Sequence, residues 1–198
     1  MSYQAVFVTG APAAGKSTLV RELAPLVTPL KVVEYGTLLL ERLRETLPDL
    51  THDELRSRSA EVVSASSIAN VDETLVRRLP AWLTETHVVI GSHAVTHEHY
   101  GVRVAPYTQR MLERLPLSAV VALYCPPQEL LRRVADKPEG RRWRTHEEAE
   151  RMQQLQISLA MMYGVLCGCP TYIVDTVDDP AALAQRVHDI LVQADIFV

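Results

Sequence analysis

The feature that most limits how this chain can fold is an eight-residue segment near its start, Gly10 to Ser17, which reads GAPAAGKS. An apolar run over residues 4–9 precedes it and indicates a buried strand, and the pattern of residues 17–26 indicates a helix. A G-x-x-x-x-G-K-S segment between a strand and a helix is typical of a loop that binds phosphates. The backbone N–H groups of such a loop form an anion cradle, and the helix N-terminus adds partial positive charge. The sequence therefore predicts nucleotide binding.

Each residue type in this loop has a predicted role. Gly10 and Gly15 are expected to allow backbone torsions that a side chain would forbid. Lys16 is the predicted catalytic cation for the β- and γ-phosphates, and the Ser17 hydroxyl is placed to bind Mg²⁺. ATP and Mg²⁺ are thus the predicted cofactors. The predicted ATP contacts in this segment are Gly10, Ala11, Ala13, Ala14, Gly15, Lys16, Ser17 and Thr18.

Five short apolar runs alternate with helical patterns along the chain. Because the runs are apolar throughout, rather than alternating with polar residues, they predict an α/β fold with a parallel sheet covered by helices on both faces. Thr51 or Asp53 is a candidate helix cap, and Thr145 with Glu148 fits a capping box. The predicted strands are residues 4–9, 31–35, 87–90, 118–124 and 171–174.

Three further local predictions concern the middle of the chain. A helix, or a pair of helices, is expected to run to about Leu79 and to be broken by Pro80. Residues 92–106 are predicted to be a loop because they are polar at first and then contain glycine and proline. Residues 107–115 are predicted to form a short helix.

Length and charge exclude several classes of protein. The 198 residues fit one domain, which we expect to span residues 1–198. A net charge of −4 and a pI of about 6.0 give no electrostatic basis for binding nucleic acid or an anionic membrane. The sequence shows no signal-peptide pattern and no apolar stretch that would span a bilayer, so we expect a cytoplasmic protein. We expect its three cysteines to be reduced.

A basic segment, Arg132 to Arg144, stands out in this acidic chain. Its five arginines and one lysine, against one aspartate and one glutamate, give it a formal charge of +4. Arginine side chains stabilise the negative charge that develops on a phosphoryl group in transfer, and a closing lid keeps water out. Residues of about 132–146 are therefore predicted to form a short lid over ATP, although a solvated basic loop is the alternative.

Acceptor-binding residues are expected beyond the carboxyl ends of the strands, where ligands bind in open parallel sheets. Thr37 and Arg42 follow the second strand and are candidates, with a helix cap and a surface arginine as equal alternatives. Ser92 and His93 follow the third strand. A zinc site at His93, His97 and His99 is disfavoured, because the segment lacks a cysteine or a clear carboxylate partner.

The order of these segments resembles the archaeal-type adenylate kinases, small P-loop nucleoside monophosphate kinases. The resemblance covers nearly the whole chain. It rests on GAPAAGKST, YGTLLLE (residues 35–41), the strand-to-GSH turn (residues 88–93), the ELLRR-to-RRWRT region, AMMYGVLCG (residues 160–168) and TYIVDT. It implies the reaction ATP + AMP ⇌ 2 ADP with Mg²⁺ on a P-loop NTPase three-layer sandwich whose strand order is 2-3-1-4-5. Because that family often trimerises, it also implies a homo-oligomer.

The resemblance also implies site residues. Arg132 or Arg133 would lie against the adenine and phosphates, and Arg141, Arg142 and Arg144 would close over the transferring group. The segment Tyr35–Thr37 and Arg42 would face AMP within acceptor-binding helices of about residues 36–80. The loop after the fifth strand, which includes Val177 and Asp178, would touch the ATP base.

Two positions depart from the family pattern. Gly91 stands where the family has an acidic residue that helps to organise Mg²⁺ and its waters, and Ile157 stands where it usually has an arginine. These departures favour a different acceptor, such as a small hydroxyl compound, or weakened activity. A slow ATPase or nucleotide-gated binding module is a third hypothesis, in which the basic segment contacts a partner.

Overall fold

Strands and helices alternate in the computed structural model, which describes residues 3–98, 100–136 and 145–198. The strands are β1 (Ala5–Gly10), β2 (Leu30–Glu34), β3 (His87–Gly91), β4 (Val95–Glu98), β5 (Gly101–Val104), β6 (Leu117–Tyr124) and β7 (Thr171–Asp175). The helices are α1 (Lys16–Leu23), α2 (Tyr35–Arg44), α3 (His52–Ser57), α4 (Ser59–Val62), α5 (Ala65–Trp82), α6 (Gln109–Leu112), α7 (Pro127–Asp136), α8 (His146–Cys167) and α9 (Pro180–Gln193).

Five strands form one parallel sheet in the order β2-β3-β1-β6-β7. This confirms the predicted α/β sandwich and its strand order 2-3-1-4-5, since β6 and β7 are the fourth and fifth strands of the predicted sheet. Their numbers differ because an additional hairpin, β4 and β5, precedes them. All five carboxyl ends meet at the same edge of the sheet, which is the edge that carries the phosphate loop.

Alternate residues of the central strand β1 enter two separate hydrophobic cores. Ala5 and Phe7 pack with residues of α5, α6 and α8 on one face of the sheet. Val6 and Val8 pack with residues of α1 and α9 on the other. Because both faces are covered, every residue of β1 is buried, which explains why the strand sequence is apolar without alternation.

The prediction of a loop over residues 92–106 was wrong, because β4 and β5 pair as an antiparallel hairpin there. The misleading signal was the polar composition of the segment. Within the hairpin, Glu98 accepts a hydrogen bond from Thr96 over 2.9 Å, and its Oε1 lies 3.4 Å from Arg103 Nε. Glu98 also accepts a hydrogen bond from Ser59 of α4 over 2.7 Å. Glu98 is thus buried with partners, and it ties the hairpin to α4.

The predicted break at Pro80 was also wrong, since α5 continues to Trp82. Pro80 lies in the last turn, where the missing N–H costs one hydrogen bond near the helix end and the fully buried Leu79 anchors that turn.

The predicted helix over residues 107–115 is shorter than expected, Gln109–Leu112. The capping box predicted at Thr145 is confirmed, and of the two candidate caps Thr51 and Asp53 the structure uses Thr51, which also forms a capping box, with Glu54. Within the described part of the chain, no helix is both long and apolar enough to cross a membrane.

Helix α8 packs closely on the strand at the sheet edge, β7, as the space around Gly164 shows when it is compared with the space around Gly36 in α2. A Cβ on Gly164 would overlap Thr171 Oγ1 and lie 3.0 Å from the Cys169 carbonyl oxygen, whereas a Cβ on Gly36 would meet nothing within 4 Å. We expect Gly164→Ala to lower the free energy of unfolding by about 1–3 kcal/mol, because overpacking outweighs the better helix propensity of alanine.

Gly36→Ala is the matched control, and we expect it to leave stability unchanged or to raise it by up to about 1 kcal/mol. Urea unfolding of the two variants and the parent protein measures both values. A Gly164→Ala protein as stable as the parent would show that α8 is not held this closely against β7.

Candidate functional site

The phosphate loop owes its shape to two residues with left-handed backbone torsions and to one close contact. Gly15 has φ 101° and Ala13 has φ 70°. Gly10 has no such torsion. Its hydrogen faces β6 instead, where a Cβ would lie 3.0 Å from the Leu123 carbonyl oxygen. The predicted torsional role is therefore correct for Gly15 and wrong for Gly10. The strained residue that sequence reasoning missed is Ala13, and a non-glycine residue in this region is typical of functional loops.

The start of α1 offers unpaired backbone donors to an anion. Gly15 is the residue before the helix, no side chain caps this end, and the first turn carries no acidic residue. The first N–H groups of a helix lack intrahelical partners, so they and the helix dipole attract negative charge. Ser17 is exposed in that first turn, and Thr18 follows it half-buried. The loop segment predicted to contact ATP is therefore continuous with an open helix N-terminus.

The Lys16 side chain is held in an ion pair. Its ammonium donates to Glu34 Oε2 over 3.0 Å, and the two side chains are 14% and 32% exposed. Glu34 is the last residue of β2. The sequence showed only that Glu34 ends an apolar run, and the structure is what brings it to the phosphate loop.

Arg133 lies beside the loop, while Arg132 does not. The Arg133 guanidinium donates to Thr176 Oγ1 over 3.0 Å and to the Thr176 carbonyl over 2.6 Å, and its Nη1 would lie 3.6 Å from a Cβ on Gly15. Arg132 is 63% exposed and binds Glu129 and Asp136 on the surface of α7. Hydrogen bonds from Arg132 and Arg133 lower the pKa of Glu129 to about 2. Of the two arginines that were alternatives in the sequence, the structure brings Arg133 to the site.

The lid arginines Arg141, Arg142 and Arg144 lie outside the described residues. The loop after β7 is described. Val177 is 55% exposed there, and its N–H donates to Asp175 Oδ1 over 2.9 Å. Asp178 forms an ion pair with Arg186.

The predicted acceptor residues divide between the surface and the core. Thr37 and Arg42 are exposed on α2, and Arg42 forms an ion pair with Glu45. His93 is exposed after β3. Ser92 is buried, and its N–H donates to the Val8 carbonyl over 3.1 Å.

Tyr35 is part of the core rather than of an open surface. Its hydroxyl donates to Asp72 Oδ1 over 2.6 Å, and its ring contacts the Tyr107 ring edge to face. Burial raises the pKa of Asp72 to about 6. Asp72 lies in α5, and the sequence carried no signal for it beyond a carboxylate within an otherwise helical pattern.

Two glutamines on α8 fix that helix to the carboxyl edge of the sheet. Gln156 donates to Thr9 Oγ1 over 2.6 Å. Gln153 exchanges hydrogen bonds with both backbone groups of Cys125. Ile157, the position of the departure from the family arginine, packs against the hydrophobic core. Sequence reasoning missed both glutamines because their partners are distant in the chain.

The described residues at the phosphate loop include oxygen donors of the kind that Mg²⁺ takes. No group of three His, Cys, Asp or Glu among them is placed to hold a metal ion. Mg²⁺ seldom needs such a cage, since it is usually bound by one or two carboxylates together with substrate phosphates and water. Ser17 follows Lys16 in the chain, and Glu34 Oε2 lies 3.0 Å from the Lys16 ammonium. The Ser17 hydroxyl and the Glu34 carboxylate are oxygen donors of the required kind.

The chain is similar in sequence to known proteins over most of its length. Residues 9–152 match a family model described as an AAA domain. The chain is 25% identical over 179 residues to an adenylate kinase of Methanococcus aeolicus, covering 88% of this chain and 90% of that protein. It is 26% identical over 184 residues to an adenylate kinase of Methanopyrus kandleri, covering 91% and 93%. The resemblance found in the sequence is confirmed.

Solved structures share the fold. A thymidylate kinase from Candida albicans superposes with a TM-score of 0.61 at 13% identity, covering 100% of this chain and 94% of that one. A shikimate kinase from Acinetobacter baumannii gives 0.57 at 16% identity, covering 96% and 94%. These relatives and neighbours are all kinases, in agreement with the predicted phosphotransferase.

The contrast between Arg133 and Arg132 is testable by nucleotide binding. We expect Arg133→Ala to weaken ATP binding by about tenfold or more, because a charged donor beside the loop is lost. Arg132→Ala removes an equal charge from the surface of the same helix and is expected to weaken binding much less. Titration calorimetry with ATP measures both, and equal losses would show that only the total charge of α7 matters.

The Asp72–Tyr35 pair predicts a pH-dependent stability. Since the folded pKa of Asp72, about 6, exceeds its unfolded value near 4, the folded chain binds the extra proton between these pH values. Stability from this group is therefore lost as pH rises from about 4 to about 6, by roughly 3 kcal/mol.

Asp72→Asn keeps an oxygen that accepts from Tyr35 and removes the titration. We expect this variant to be more stable than the parent at pH 7 and to lose that advantage near pH 4. Urea unfolding between pH 4 and 8 tests this, with the surface substitution Asp189→Asn as control. A stability difference independent of pH would contradict the assignment.

Proposed function

Because the chain belongs to the AAA-domain family that its residues 9–152 match, we propose that it transfers the γ-phosphoryl group of ATP to a nucleoside monophosphate, with AMP as the first acceptor. The reaction is ATP + AMP ⇌ 2 ADP, in which the bond from the γ-phosphorus to its bridging oxygen breaks and a bond to an AMP phosphate oxygen forms. The observation that carries the proposal is the strained phosphate loop with Lys16 beside an uncapped helix N-terminus. The archaeal adenylate kinases to which the chain is similar support AMP.

The roles of the ATP-binding residues follow from their positions. The backbone N–H groups of Ala13 and of residues 15–18 would bind the phosphates, because Pro12 has no N–H and the N–H of Ala14 donates to the Ala11 carbonyl over 2.9 Å. Lys16 would move from Glu34 to the β- and γ-phosphates. Ser17 would hold Mg²⁺, which would supply positive charge against the phosphates. Arg133 would hold the loop against Thr176, and the exposed Val177 and Asp178 would lie near the base.

Other parts of the proposal come from the sequence. The lid arginines would close over the transferring group. On the acceptor side, Thr37, Arg42 and His93 are exposed beyond the carboxyl edge and are proposed AMP contacts, with Ser92 buried behind them. A single domain, a homo-oligomer, a cytoplasmic location and the absence of nucleic-acid and membrane partners stay predictions.

A hydroxyl acceptor is the second candidate, and Glu34 favours it. An alcohol must lose a proton when it attacks phosphorus, whereas a phosphate oxygen is already ionised. Glu34 places a carboxylate 3.0 Å from the Lys16 ammonium, within the region where the reaction would occur. The replacement of the family acid and arginine by Gly91 and Ile157 points the same way.

An acceptor panel separates these readings. Purified protein with Mg·ATP is mixed with AMP, CMP, UMP, GMP, dTMP, shikimate or no acceptor, and products are followed by chromatography. We expect ADP from both substrates with AMP. Transfer only to a hydroxyl compound would establish the second candidate, and ADP formed equally without any acceptor would establish an ATPase.

Lys16→Ala tests the catalytic assignment. We expect it to lower the transfer rate by about a thousandfold, because it removes a cation that stabilises charge on the transferring phosphoryl group. Lys31→Ala is the matched control, since Lys31 lies exposed on β2 with its ammonium over the Trp82 ring. Unchanged turnover in Lys16→Ala, with the fold confirmed by circular dichroism, would contradict the proposal.

A further inference from the structure

Glu34 and Gly91 are neighbours at the edge of the sheet that carries the phosphate loop. They end the adjacent parallel strands β2 and β3, and they are paired in register. In the proposed reaction, a carboxylate at this edge would lie close to the Mg²⁺ that accompanies ATP. Among the residues of this strand pair, the one that supplies a carboxylate at the edge is Glu34.

The Glu34 carboxylate lies directly over the backbone of Gly91. A Cβ built on Gly91 would be 2.7 Å from Glu34 Oε2 and 2.8 Å from both Oε1 and Cδ. Contacts this short would push the flexible end of the Glu34 side chain away, so the glycine at position 91 is what leaves this space to the carboxylate. A side chain at position 91 and the side chain of Glu34 therefore compete for one location.

The charge of Glu34 has to be balanced when phosphates bind. Its Oε2 accepts from Lys16, the cation expected to turn to the β- and γ-phosphates. Once Lys16 donates to phosphate, a carboxylate and several phosphate oxygens would face one another, which is repulsive unless a cation lies between them. Mg²⁺ with its waters is the cation that binds one or two carboxylates together with substrate phosphates.

We propose that Glu34 is the carboxylate of this protein that organises Mg²⁺ and its waters beside ATP, from the end of β2, and that Gly91 is small so that it can do so. The inference rests on the ATP-binding part of the proposed function and is independent of the acceptor. Two other roles are distinguishable from it: orienting Lys16 alone, and accepting a proton from a hydroxyl acceptor.

The test measures ATP affinity by titration calorimetry, once with saturating Mg²⁺ and once with EDTA. We expect Glu34→Gln to bind Mg·ATP about tenfold or more weakly, in line with the loss of a group that supports a metal site. Metal-free ATP should bind equally well or more tightly, because the negative charge beside Lys16 is gone. Glu22→Gln is the matched control: Glu22 is also 32% exposed and also forms an ion pair, with Arg21 on α1.

A double variant that moves the carboxylate from position 34 to position 91 provides a second test. In Glu34→Ala/Gly91→Asp, the new carboxylate occupies the vacated space, and the Mg²⁺ dependence of ATP binding should return to within about threefold of the parent value. Gly91→Asp alone places two carboxylates in one location and should lower both stability and Mg·ATP affinity. Counting bound Mn²⁺ by electron paramagnetic resonance with ATP present gives a second readout, in which Glu34→Gln holds Mn²⁺ less tightly.

The outcomes separate this inference from the proposed function. A Glu34→Gln protein whose Mg²⁺ dependence equals that of the parent would overturn the role of Glu34, while leaving ATP binding and the acceptor panel intact. Equal weakening with and without Mg²⁺ would also overturn it, since that result indicates a group that only orients Lys16. A parent protein that binds no ATP under either condition would overturn both the inference and the proposed function.

Discussion

The contact between the phosphate loop and β6 is the constraint on which the rest of the site depends. Gly10 lies so close to β6 that a Cβ on it would be 3.0 Å from the Leu123 carbonyl oxygen, closer than ordinary van der Waals contact. This contact holds the loop on the sheet edge, and the left-handed torsions at Ala13 and Gly15 then turn the chain into α1. The cradle is therefore supported by a rigid, doubly covered sheet, as a preorganised anion site requires.

Two cations beside this cradle, Lys16 and Arg133, form partly exposed ion pairs with carboxylates, so their positive charge can still attract a phosphate ligand. Lys16 is held by Glu34 from β2, and Arg133 is held by Glu129 within α7 and by Thr176 after β7. These contacts are partly exposed, so phosphates can compete for the two cations. The residues that orient the cations come from three elements that meet at the carboxyl edge, which explains why the sheet order matters for the chemistry.

Local patterns in the sequence were sufficient for the five strands of the parallel sheet, the phosphate loop, the helix cap at Thr51 and the capping box at Thr145, because each depends on neighbours in the chain. The order of the strands came from the family resemblance. The hairpin of β4 and β5 was missed because its polar residues bind Ser59, more than thirty positions away. The continuation of α5 past Pro80 depends on the burial of Leu79. The Glu34–Gly91 relation was out of reach for the same reason: only the register of β2 and β3 brings the two residues together. Arg132 and Arg133 were equivalent in the sequence and became distinct only through the orientation of α7.

The proposed reaction requires one chain to hold ATP and AMP with their phosphates adjacent. A bisubstrate compound, in which two adenosines are joined through five phosphates, tests this most directly by titration calorimetry with Mg²⁺. We expect one molecule to bind per chain, about a hundredfold or more tightly than ATP. The reason is that the second adenosine binds within the same molecule and loses little further translational freedom. Binding no tighter than that of ATP would contradict the account, since it would show that the second adenosine finds no site beside the first.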